Sequence, residues 1–184
     1  MHSRIFTILF TEEDLNGKMI SLPTDDDLAD ELESQGFSFF DYIKDSRDFD
    51  YDIDWLQKCY PTAFKFTDQT NGILNVPDLN PQLKKVVITK DSLKSHYYEK
   101  ADAIKEYMDE KGIHPEDDLW VYHMKNLIEE TNSGFFFYTL ADSHKLFYSC
   151  ASLDSFLLQV QSLMDCKKLN EVVFYIVGTY DYHN

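Results

Sequence analysis

The 184-residue sequence predicts an α+β fold, a mixed or antiparallel sheet packed by about four helices, formed by one domain over residues 1–184. Two strand-like runs rich in β-branched and aromatic residues stand near the two ends, at 4–11 (RIFTILFT) and 171–177 (EVVFYIV). Two intervening segments, 92–111 and 152–164, repeat apolar residues at three- and four-residue steps. The order of segments neither alternates strictly between strand and helix nor separates into blocks, which favours α+β over a parallel α/β design.

Taken in order, residues 4–11 form the opening strand. Thr24 is placed to cap a short helix, with Asp25, Asp26 and Asp27 in the first turn, where the helix dipole favours negative charge. Leu28 and Leu32 give that helix an apolar edge before Gly36. Residues 37–60 show no clear period, and 62–81 carry Pro, Gly and Asn in the pattern of turns joining short extended pieces. Residues 84–89 (KKVVIT) read as a strand. Asp91 or Ser92 should cap a helix whose apolar face runs through Leu93, Tyr97, Ala101, Ile104 and Met108 to Gly112, a C-terminal cap. Pro115 opens a further helix with Trp120, Met124 and Leu127 inward and His123 beside them, a core or boundary residue. Residues 135–140 and 145–150 read as a hairpin around 141–144. Ser152 caps a helix burying Leu153, Phe156, Leu157, Val160, Leu163 and Met164. The strand at 171–177 ends before a polar, aromatic tail, 180–184.

No motif of phosphate-binding loops, zinc proteases, serine hydrolases or paired CxxC zinc sites occurs, and there are six glycines in all. The histidines at 2, 96, 114, 123, 144 and 183 never fall at the i, i+4 spacing that presents two ligands on one helical face. Cys150 and His144 flank one hairpin strand but are individually ordinary. No catalytic residue, metal ligand or cofactor is therefore expected.

The formal charge is −16, and its placement is uneven: residues 1–60 hold 15 acids and 5 bases. A field of this sign disfavours direct nucleic-acid binding and anionic membranes, and attracts a basic protein partner. Nowhere do 18 apolar residues run together, and the first residues lack the long apolar run of a signal peptide. Cys59, Cys150 and Cys166 are odd in number and far apart, as expected of reduced, mostly buried thiols in a cytoplasmic protein.

The most unusual segment is 48–55, in which Asp48, Asp50, Asp52 and Asp54 alternate with Phe49, Tyr51, Ile53 and Trp55. An EF-hand loop would need Gly at Ile53 and Glu at Cys59, so that pattern fails. As an edge strand or loop, the segment would show solvent an acidic face and pack its aromatics inward. Extended, it would also space its carboxylates roughly 6.5 Å apart, near the separation of successive phosphates, with Asp41 and Asp45 prolonging the negative stretch. The expected function is a non-catalytic acidic binding protein that docks on a basic protein as an inhibitor, immunity-like protein or nucleic-acid mimic. Asp48, Asp50, Asp52 and Asp54 would supply the charge, and Phe49, Tyr51 or Trp55, whichever is exposed, an anchor. An enzyme or small-ligand-binding protein with an aromatic-lined pocket, and an oligomeric scaffold, are the alternatives.

Overall fold

The computed structural model describes residues 2–10, 22–34, 42–45, 48–67, 83–114, 116, 120, 122–123, 134–140 and 150–183. These form an α+β fold with a seven-stranded mixed sheet and four helices. The strands are β1 (His2–Leu9), β2 (Tyr42–Asp45), β3 (Lys65–Thr67), β4 (Lys84–Thr89), β5 (Phe135–Thr139), β6 (Cys150–Ser152) and β7 (Glu171–His183). The helices are α1 (Asp25–Ser34), α2 (Phe49–Cys59), α3 (Lys90–Lys111) and α4 (Leu153–Lys167). The sheet order is β3-β4-β7-β1-β5-β6, with β2 pairing the C-terminal part of β7. The β1–β5 pair is parallel and the other pairs are antiparallel.

Alternation along the strands sorts the helices into two layers. Phe6 and Ile8 of β1, Phe135 and Phe137 of β5, and Phe174 and Ile176 of β7 share a core with α2, α3 and α4. Ile5, Phe136, Tyr180 and Tyr182 point the other way and bury Leu28 and Leu32 of α1. The main core is aromatic: Phe137 stacks on Phe156 at 4.3 Å between ring centroids, and Phe174 meets Phe156 edge-on at 5.3 Å. Every apolar position expected of the helix after Ser152 is buried.

α1 is capped as its sequence implies. The Thr24 hydroxyl accepts from the Asp27 backbone amide at 3.2 Å, while Asp27 Oδ2 accepts from both the Thr24 amide and hydroxyl. Those two bonds hold the Asp27 carboxyl below its ordinary range.

Elsewhere the boundaries move. The cap of α3 is Thr89, not Asp91 or Ser92: its hydroxyl accepts from the Ser92 amide at 3.0 Å and Ser92 Oγ accepts from the Thr89 amide at 2.9 Å, a reciprocal box. Only the start of α3 docks fully, through Leu93 and His96, and Ala101 on its expected apolar face is exposed. The closing strand does not stop at Val177. It continues to His183 through a bulge in which Val177 is the extra residue between the Thr7–Gly178 and Ile8–Ile176 pairs, after which Tyr180 and Tyr182 resume inward alternation. A Cβ at Gly178 would lie 2.8 Å from Thr7 Oγ1, which itself donates to the Gly178 carbonyl.

The antiparallel pair β5–β6 is present, its second strand described over Cys150–Ser152, while residues 145–149 of the expected strand lie outside the described residues. The turn at 141–144, residues 68–81 of the stretch expected to hold turns and short extended pieces, and most of the helix expected after Pro115 lie outside the described residues. Of the three free cysteines only Cys150 is buried, because Cys59 and Cys166 sit on solvent-facing positions in the last turns of α2 and α4. Among the described residues, no helix is long and apolar enough to cross a membrane.

Candidate functional site

The alternating acidic segment is a helix. Asp48 is the N-cap, its carboxylate accepting from the Tyr51 amide at 3.1 Å, and Asp50 and Asp52 occupy the first turn of α2. Phe49, Ile53 and Leu56 recur at helical spacing and enter the core, so packing overrides the two-residue alternation. The expected row of four carboxylates on one face of an extended strand is thus not formed, and the phosphate-like spacing that came with it is lost.

Helical geometry divides the expected contact residues by position. Asp52 shares the buried stripe of Phe49, Ile53 and Leu56 and is fully enclosed. Its Oδ1 accepts from Arg4 Nε on β1 at 2.5 Å, and its Oδ2 accepts from the Thr179 hydroxyl on β7 at 2.8 Å. Arg4 also bonds Asp181 of β7 and donates to the Ser3 carbonyl at 3.1 Å. The half-buried Trp55 lies under this guanidinium, 5.3 Å from ring centroid to Arg4 Cζ, and packs on Phe135 at 5.0 Å. Asp52 and Trp55 therefore lock α2 to β1 and β7. Arg4, Thr179 and Asp181, 48 to 129 residues from Asp52, carried no local signal of this role.

Asp48, Asp50, Tyr51 and Asp54 remain on the surface. Tyr51 is 60% exposed. Asp50 and Asp54 are one turn apart, with Tyr51 beside both. Neither makes an ion pair among the described residues. The described acids of residues 1–60 are divided between two faces, since Asp25, Asp26, Asp30 and Glu33 are exposed on α1, across the sheet from α2.

Burial pushes the Cys150 thiol up to about 12, the opposite of what an attacking thiolate needs. His144 lies outside the described residues. Among the described residues, no group of three or more potential metal ligands converges.

His96 is enclosed by Tyr60 and Tyr97, with Nε2 lacking a hydrogen-bond partner among the described residues. Burial first, then the Lys100 charge, lowers its pKa, against weaker opposing pulls from Asp154 and Glu99. The folded state therefore refuses a proton that the unfolded chain accepts below about pH 6.5. Stability from this group is present above that pH and lost as pH falls. Melting curves from pH 8 to pH 5 should show a smaller acid-induced drop for His96→Phe than for the native chain; equal drops would assign the acid sensitivity elsewhere.

No family model, curated protein or solved structure matches the chain.

Proposed function

We propose that the protein is a non-catalytic binding protein that uses the solvent face of α2 to dock on a basic protein partner and occlude it. The observation that supports this reading is Tyr51, a large exposed aromatic beside the unpaired carboxylates of Asp50 and Asp54. Aromatic anchors rimmed by polar groups supply much of the energy of protein interfaces, and surrounding charges speed encounter and select the partner. Like charges one helical turn apart cost the free protein about 0.2–0.5 kcal/mol, a repulsion that a lysine or arginine opposite them would relieve. The contact set of this reading is Asp48, Asp50, Tyr51 and Asp54; Asp52 and Trp55 hold the helix in place.

The test uses a basic protein recovered on the native chain from its own host, followed by association kinetics at low and high salt. Asp50→Asn/Asp54→Asn should slow association several-fold at low salt and little at high salt, because such charges act through a screened field. Tyr51→Ala should mainly speed dissociation, by roughly 30-fold for a loss of about 2 kcal/mol. Both variants should melt like the native chain, since exposed substitutions fall within about 0.5 kcal/mol. Native rates at low salt in the double variant, together with native dissociation in Tyr51→Ala, would remove α2 from the interface.

A further inference from the structure

A second site lies where α3 and α4 pack against each other, and it stands independently of the α2 reading. Lys90 Nζ meets Asp165 Oδ1 at 3.2 Å and Lys100 Nζ meets Asp154 Oδ2 at 2.7 Å, so the two helices run antiparallel. The ten residues from Lys90 to Lys100 span about 15 Å of helix. Beside the first ion pair the helices leave an open groove of about 500 Å³. Buried Leu93 and Met164 and half-buried Tyr97 supply its apolar lining. Tyr98 adds a ring that is 62% exposed, and Ala101 leaves space that a longer side chain would fill.

The charge at this groove runs against the rest of the molecule. In a chain with 33 acids and 17 Lys and Arg, the groove is lined by Lys90 and Lys94 against the single carboxylate of Asp165. Lys90 is paired with that carboxylate. Lys94 has no carboxylate among the described residues, and its ammonium lies 5.7 Å from the centroid of the Tyr98 ring. The Tyr97 hydroxyl is buried and has no hydrogen-bond partner among the described residues.

We propose that this groove binds a small amphipathic anion, an aromatic or medium-chain carboxylate whose apolar body lies on Leu93, Tyr97, Tyr98 and Met164 and whose head group pairs with Lys94. The volume falls within the roughly 300–1,000 Å³ of small-molecule sites, and apolar and aromatic lining with a few fixed polar groups is their usual composition. The thioether of Met164 adapts to irregular apolar shapes. At physiological salt the Debye length is about 8 Å, so the distant acids are largely screened while Lys94 acts at contact.

The test follows the fluorescence of 8-anilinonaphthalene-1-sulfonate, itself an aromatic anion, and its displacement by decanoate or decyltrimethylammonium below micelle-forming concentrations in 150 mM salt. The expected result is a single saturable site from which decanoate displaces the dye at least tenfold more effectively than the cation of equal chain length. Lys94→Gln should weaken decanoate about tenfold and leave the cation unchanged. Ala101→Trp should fill the groove and abolish both, and because Ala101 is exposed its melting temperature should stay native. Absence of saturable binding, equal displacement by the cation, or native decanoate affinity in Lys94→Gln would overturn the proposal. Lys94→Gln decides the matter even if the tryptophan variant fails to fold.

Discussion

Phe156→Ala should destabilise the protein by about 3–5 kcal/mol and lower its melting temperature by roughly 6–20 °C for a chain of this size. Phe156 is almost wholly buried, stacked on Phe137 and in edge contact with Phe174, with Phe10 close by at 6.3 Å. Truncation removes the transfer energy of a benzyl group and leaves a cavity. Three of its walls are rings, Phe137 on β5, Phe174 on β7 and Phe10 directly after β1, so the site cannot collapse without moving the sheet. Phe156→Leu keeps much of the volume and should recover more than half of the loss. Urea denaturation should show a lower midpoint at an unchanged slope. A loss below about 1 kcal/mol would mean that α4 does not pack on the sheet in this way.

The elements legible in the sequence were those whose local pattern agrees with their final environment. α4 buries Leu153, Phe156, Leu157, Val160, Leu163 and Met164 as its period implies, and β1, β4 and α1 fall close to their expected positions. The misreadings came where two signals compete. In residues 48–55 the alternation of aspartate with large apolar groups has the period of a strand, but Asp48 also begins an N-cap pattern. Phe49, Ile53 and Leu56 carry the helical spacing, and that apolar triad extends beyond the alternating segment to where only α2 can bury it. The tail from residue 180 looks polar in sequence because Tyr180 and Tyr182 are flanked by Thr179, Asp181 and His183; the bulge at Val177 shifts the register so that both tyrosines turn toward α1.

The two sites were unequally visible. Asp50, Tyr51 and Asp54 stood out by composition, and their exposure follows from lying opposite the buried stripe of α2. The α3–α4 groove could not be read from sequence, since Lys90, Lys94 and Tyr98 meet Gln161, Met164 and Asp165 only after the helices pack antiparallel. Ala101 was expected in the core for its place on an apolar stripe. It is exposed instead, and lines the groove because α4 leaves that part of α3 uncovered.

Asp52→Ala should cost at least about 3 kcal/mol, the lower part of the range for removing one partner of a buried ion pair. The lower part applies because Arg4 keeps its bond to Asp181, which is partly exposed to water. The loss has two sources. Arg4 Nε is left without its carboxylate in a site where Arg4 is 13% and Asp52 1% exposed, and the buried Thr179 hydroxyl loses its acceptor. An unanswered buried donor of that kind costs about 1–3 kcal/mol by itself. Asp52→Asn preserves an acceptor for Thr179 while removing the charge, so it should lose less than Asp52→Ala. The double variant Arg4→Met/Asp52→Leu exchanges the pair for apolar groups and should recover most of the stability, since buried pairs replaced by well-packed apolar residues are often neutral. Denaturation midpoints at low and high salt separate this site from the surface of α2. The effect of Asp52→Ala should be almost independent of salt because the pair is enclosed, unlike the binding effect of Asp50→Asn/Asp54→Asn. Near-native stability in Asp52→Ala would show that α2 is held by Phe49, Ile53 and Leu56 alone, and would return Asp52 to the surface charges available to a partner.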